Sequence, residues 1–176
     1  MAILPLVEPS AATGRVKEIF EGPLKGKGFN IFKSMANAPA AMEAYLGLAV
    51  AVGHGTLTPV ERELIQLAIG EANHCEYCAA AHTAVSRGLG MSDAVILEAR
   101  RGKMSDPKQA SLVRFALALH ERKGYVTETD VAAFTAGGYR KEQIPEVIAV
   151  YALAVYTNYF NHANQTAVDF PAAPRV

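Results

Sequence analysis

The stretch Thr58-Pro59-Val60-Glu61-Arg62-Glu63-Leu64-Ile65-Gln66-Leu67-Ala68-Ile69-Gly70-Glu71-Ala72-Asn73-His74-Cys75-Glu76-Tyr77-Cys78-Ala79-Ala80-Ala81-His82 decides how this chain folds. Its first four residues form a helix start. Thr58 supplies the cap, Pro59 takes the first helical position, where a missing N–H costs nothing, and Glu61 reaches back to the cap. Leu64, Leu67 and Ala68 then form an apolar stripe at helical spacing. This helix is expected to end near Asn73, which leaves His74 and Cys75 at the start of the next one. Unpaired N–H groups and the positive end of the helix dipole both favour a thiolate at Cys75. Cys78 lies one turn inside that helix and His82 one turn further, on a shared face.

Further helix starts follow at Ser92-Asp93, Asp106-Pro107 and Thr127-Glu128-Thr129-Asp130. Gly53 and Gly55, Gly88 and Gly90, Gly102, Gly124 and Gly137-Gly138 mark the stops. Leu112, Phe115, Ala116 and Leu119 form a second apolar stripe, and residues 141–165 are apolar nearly all round, as a central or intersubunit helix would be. No run alternates between turn residues, so strands are not expected. The short polar connections suit an all-α fold, a compact bundle of about seven to eight helices. One domain is expected over residues 1–176, with 1–35 as a less regular N-terminal arm. Within that arm Thr13 to Glu21 reads as a helix, followed by a loop rich in glycine and lysine at 22–28 that reads as solvated surface.

Composition narrows the function. Of 176 residues 51% are hydrophobic, and 17 basic side chains balance 17 acidic ones, so neither nucleic acid nor an anionic membrane is expected as a partner. The opening Met1-Ala2-Ile3-Leu4-Pro5-Leu6 lacks the positive start of a secretory leader. The most apolar run, Val147 to Phe160, falls short of the roughly 20 residues that span a bilayer. A cytoplasmic protein is therefore expected. The two cysteines stand three positions apart, which in a reducing compartment points to a redox pair or half of a metal site rather than a structural staple.

A thiol must be a thiolate to attack a peroxide or a disulfide, and a free cysteine with a pKa near 8.5 is mostly protonated at neutral pH. His82, one turn after Cys78, is placed to take that proton directly or through water. Glu63, on the preceding helix and 12 positions before Cys75, would orient the imidazole or pass the proton onward if the two helices pack. The candidate catalytic residues are thus Cys75, Cys78, His82 and Glu63. A zinc site made of Cys75, Cys78, His82 and one carboxylate is the rival reading, but structural zinc sites use two well-separated ligand pairs, so no metal and no cofactor is expected. Glu71, His74 and Glu76 read as capping or solvated residues. His162 is a lesser candidate, because Asn158, Asn161 and His162 recur at helical spacing on an apolar helix.

The spacing Glu63-x11-Cys75-x2-Cys78-x3-His82 resembles the signature of the AhpD-like branch of the carboxymuconolactone decarboxylase superfamily, which is all-helical. The approach from Thr58 to Leu64 and the segment Thr83 to Gly88 are also similar to that family, over residues 40–100 or so, and Asn158 to His162 resembles the helix end of many members. The resemblance implies a thiol-dependent alkylhydroperoxidase. Cys78 attacks the hydroperoxide and becomes a sulfenic acid, Cys75 condenses with it to a disulfide, and an external dithiol donor restores the pair. It also implies a homo-oligomer, a trimer or a hexamer. The helix-start argument favours Cys75 as the attacking thiol, whereas the resemblance and the nearby His82 favour Cys78, which is the assignment taken here. One position departs from the best-known peroxidases of this type: Tyr77 stands where they carry a histidine between the cysteines. The alternative from a different class is a dithiol–disulfide oxidoreductase without peroxidase turnover, or a redox-sensing binding module.

Overall fold

The computed structural model describes residues 2–176, which form nine α-helices, eight of them of seven residues or more, with no strand among the described residues. In chain order they are α1 (Gly14–Glu21), α2 (Asn30–Met35), α3 (Pro39–Gly53), α4 (Pro59–Ala72), α5 (Glu76–Gly88), α6 (Asp93–Arg100), α7 (Pro107–Glu121), α8 (Glu128–Ala136) and α9 (Ile144–Asn164). Short 3-10 turns precede α1 at Pro9–Ala11 and α9 at Lys141–Gln143.

The helix ends have local causes. Thr58 and Glu61 close a reciprocal capping box on α4, and Thr127 and Asp130 do the same on α8. Ser92 and Asp106 cap α6 and α7 through their side chains. After α7 the chain turns through Gly124 at φ +89°, a left-handed conformation that glycine adopts without a Cβ penalty.

α4 is the centre of the molecule and packs against α5, α6, α7 and α9. One face carries Leu64, Leu67 and Ala68 into a cluster with Ile96, Ala99 and Val113. The other carries Ile65 and Ile69 into a cluster with Leu112, Phe115, Phe134, Val147 and Val150. Each of these side chains is sealed from water, and trimming one such leucine to alanine in a packed core costs about 2–5 kcal/mol. A third cluster joins Val16, Ile19, Phe20, Ile31, Phe32, Met35 and Met42 from α1 to α3 with Cys75, Tyr77 and Cys78. The N-terminal segment is thus part of the wall around the cysteines.

The two ends of the chain are tied to the same region. Leu4 N donates to Asn164 Oδ1 at 2.8 Å, which lays the N-terminal strand of chain along the end of α9. Beyond α9 the tail runs without regular structure and is held by Asp169, whose Oδ2 accepts from Asn30 N at 2.7 Å. Phe170 stacks beside Phe29 with ring centroids 4.5 Å apart. None of the helices is long and apolar enough to cross a membrane among the described residues.

Candidate active site

α4 ends at Ala72, Asn73 closes it, and His74 turns the chain in a left-handed conformation at φ +55°. Cys75 N donates to Gly70 O at 2.8 Å, which pins the start of α5 to the end of α4. Cys75 is the N-cap of α5, and its Sγ accepts from Cys78 N at 3.2 Å. The helix start expected from the sequence therefore falls at the first cysteine.

Cys75 and Cys78 are joined as a disulfide, with Cα atoms 5.2 Å apart. Both are buried, at 1% and 2% exposure. With each sulfur bonded to the other, neither is a thiolate ligand, and no three His, Cys, Asp or Glu side chains converge as a metal site among the described residues.

Cys78 lies at the wall of a cavity of about 470 Å³ that His82 also lines. Phe29, Phe32, Tyr45, Tyr77, Phe170 and Leu153 make most of its surface apolar, and Lys27 stands at its exposed edge. The glycine and lysine loop thus contributes one residue to the site, which solvated lysines alone do not signal. A volume of this size holds a small organic molecule.

His82 Nδ1 and Glu63 Oε2 are 2.8 Å apart, so α4 and α5 do bring the expected pair together. The contact uses Nδ1, which leaves Nε2 as the ring nitrogen not engaged by Glu63. Glu63 also raises the ionisation threshold of the nearby Tyr45, although burial of that phenol acts more strongly in the same direction.

Tyr77 lines the cavity with its ring, while its hydroxyl is engaged elsewhere. Its hydroxyl donates to Asp169 Oδ1 at 2.8 Å and accepts from Ile31 N at 3.3 Å. Burial pushes this phenol far above its ordinary range, and the neighbouring Asp169 adds to the effect. Tyr77 is a neutral strut between α5, α2 and the C-terminal tail.

Of the other residues weighed from sequence, His162 is exposed and does not line the Cys78 cavity. The inward stripe of α9 is Asn158, Asn161 and Asn164 instead, because three-residue spacing turns His162 to the outside. Asn161 Nδ2 donates to Cys78 Sγ at 3.4 Å, and Asn73 Nδ2 donates to Asn158 Oδ1 at 2.8 Å. Glu71 pairs with Arg100 at 2.8 Å, and His74 and Glu76 are exposed. Glu61, expected to reach back to the Thr58 cap, does so and is buried at 7% exposure, covered by Tyr139 and Lys108. Asn161, Asp169, Phe170 and the buried Gln66, which also lines the Cys78 cavity, have no signal in the sequence beyond the spacing of Asn161 on α9.

Fold and site define an all-helical protein with a Cys-x-x-Cys pair at a helix start, backed by a histidine and a glutamate. Residues 36–111 match the model of the carboxymuconolactone decarboxylase family, and the chain shares the fold of solved structures described as AhpD-like and peroxidase-related. The alkylhydroperoxidase AhpD core of an uncharacterized peroxidase-related protein from Ralstonia eutropha is similar at 24% identity and a TM-score of 0.85, over 96% of this chain and 92% of that one. A peroxidase-related protein from Silicibacter sp. is similar at 22% identity and a TM-score of 0.80, over 94% and 89%. The debrominase Bmp8 in complex with 2,3,4-tribromopyrrole is similar at 18% identity and a TM-score of 0.77, over 96% and 94%. No curated protein matches the sequence.

Proposed function

We propose that this protein is a thiol-dependent peroxidase that reduces alkyl hydroperoxides through a dithiol–disulfide cycle of Cys75 and Cys78. The observation that carries this reading is the placement of Cys78 and His82 in the wall of one apolar cavity, with Glu63 behind the imidazole. In the reduced state His82 takes the proton of Cys78. The thiolate attacks the terminal oxygen of the hydroperoxide, the O–O bond breaks, and the departing alkoxide takes the proton back from His82. The Cys75 thiolate then attacks the sulfenic sulfur of Cys78, water leaves, and the disulfide forms. One hydroperoxide and two thiols become one alcohol, one water and one disulfide, which an external thiol donor reduces.

Asn161 supports Cys78 as the attacking residue, since a donated N–H steadies a thiolate at that sulfur. A second reading is a dithiol oxidoreductase acting on aromatic substrates other than peroxides. It is favoured by the aromatic lining of the cavity and by the shared fold of a debrominase. Val50, Ile148 and Tyr159 are exposed apolar residues of α3 and α9, two helices that pack together, and they support the proposal of a homo-oligomer, a trimer or hexamer. The proposed setting is the cytoplasm, where thiol donors are abundant. The two readings part on the rate at which the reduced protein loses thiols to a small organic hydroperoxide. Loss well above that of free cysteine fits the peroxidase, and loss no faster than free cysteine removes it.

A further inference from the structure

The two sulfurs of this disulfide border different cavities. Cys78 lines the aromatic cavity with His82. Cys75 lines a second one of about 370 Å³, bounded by the start of α5, by Arg100 and by the C-terminal tail from Val168 to Arg175. Their linings share Phe170 alone. They also differ in chemistry: aromatic rings dominate on the Cys78 side, whereas Glu71, His74, Glu76, Arg100 and Arg175 surround the Cys75 side. Ala172, Ala173 and Pro174 contribute the tail's side of this cavity, and Arg100, paired with Glu71, also donates to Pro174 O.

We propose that the Cys75 cavity is the entry site for a low-molecular-weight thiol that reduces the disulfide, so that oxidant and reductant reach one Cys-x-x-Cys pair through separate doors. This rests on the reading that the pair cycles, not on the identity of the oxidant. Reduction begins when the entering thiolate attacks one sulfur and the other leaves with the bonding electrons. Attack at Cys75 forms a mixed disulfide there and expels Cys78 as a thiolate, which takes up a proton. That leaving sulfur already accepts an N–H from Asn161. A second thiol then attacks the reductant's sulfur in the mixed disulfide and expels Cys75, whose sulfur accepts the N–H of Cys78 at the helix start and then takes up a proton. Two entering thiols become one disulfide, and the protein regains two thiols. Each leaving sulfur has its own donor. The tail beside Cys75 and its 1% exposure keep out a thiol held on the face of a folded protein.

The test separates the two half-reactions. Ala173→Trp would fill the Cys75 cavity from the tail, and Val85→Trp would narrow the edge of the Cys78 cavity; neither residue belongs to the catalytic group. Reduction of the oxidised protein by dithiothreitol and by glutathione is timed apart from oxidation of the reduced protein by cumene hydroperoxide. Ala173→Trp should slow reduction on the order of tenfold and leave oxidation unchanged, with Val85→Trp doing the reverse. Slower reduction in Val85→Trp with normal reduction in Ala173→Trp would overturn the proposal. In unmodified protein, acid-quenched glutathione should be found on Cys75, and glutathione on Cys78 would overturn it equally. Faster reduction by thioredoxin than by dithiothreitol at equal thiol concentration would do so too. Because the reduction arm needs no peroxide, inertness toward cumene hydroperoxide would remove the peroxidase reading while the thiol entry site is still decided.

Discussion

Glu63 and His82, 19 positions apart on adjoining helices, meet at 2.8 Å between Oε2 and Nδ1. The carboxylate fixes the imidazole with its other nitrogen available to the site. His82→Ala should slow thiol oxidation by peroxide on the order of a hundredfold at neutral pH, in line with the usual contribution of a general base. Glu63→Gln keeps the shape but removes the charge, and should slow it by about tenfold while displacing the pH profile of the rate. Stopped-flow rates across pH check both. An unchanged profile in His82→Ala would remove the histidine from proton transfer.

Tyr77 ties α5 to the tail through Asp169 and to α2 through Ile31 N. Tyr77→Phe leaves Ile31 N without its acceptor in a buried setting and frees the exposed Asp169 carboxylate, and should lower stability by about 1–3 kcal/mol in urea unfolding. Asp169→Ala should lose part of the same energy, so the double variant should be less destabilised than the sum of the singles.

The same phenol gives an alkaline signature. Burial raises its folded pKa above the unfolded value of about 10, so its contribution is complete below that pH and is lost progressively above it. The urea midpoint of the unmodified protein should fall above about pH 10, and that of Tyr77→Phe should fall less steeply. Equal slopes would mean that Tyr77 is not held as a neutral donor.

Glu61 makes the opposite prediction in acid. Burial works against its ionisation, but hydrogen bonds from Thr58, Lys108 and Tyr139 outweigh it and hold the carboxyl below its ordinary range. Its contribution is therefore present above the unfolded pKa of about 4.3 and is lost as pH falls through the folded value. Glu61→Gln should cost about 1–2 kcal/mol at neutral pH, with the gap to the unmodified protein closing in acid. A gap of constant size from neutral pH to strong acid would contradict this account of Glu61.

The helices were legible because their starts depend on neighbours in sequence. Thr58, Ser92, Asp106 and Thr127 cap the helices that their spacing predicts, and the expected end of α4 and start of α5 fall on Asn73 and Cys75. The stripe Leu64, Leu67 and Ala68 shows one face of α4, but its second buried face, Ile65 and Ile69, depends on which helices surround it. Long-range contacts leave no local trace. Asp169 and Phe170 reach the site from a tail without helical periodicity, and Asn161 meets Cys78 across 83 positions. The capping-box spacing revealed Glu61's partner in Thr58 but not its burial, because Tyr139 covers it from 78 positions away.

In the proposed cycle Cys78 attacks the peroxide and Cys75 resolves it. The most direct measurement is thiol loss on mixing reduced protein with cumene hydroperoxide, for the unmodified chain, Cys75→Ser and Cys78→Ser, with the product read by mass spectrometry. The account predicts rapid loss of both thiols in the unmodified protein, a sulfenic acid held at Cys78 in Cys75→Ser, and no rapid reaction in Cys78→Ser. A rapid reaction that survives in Cys78→Ser and disappears in Cys75→Ser would contradict it.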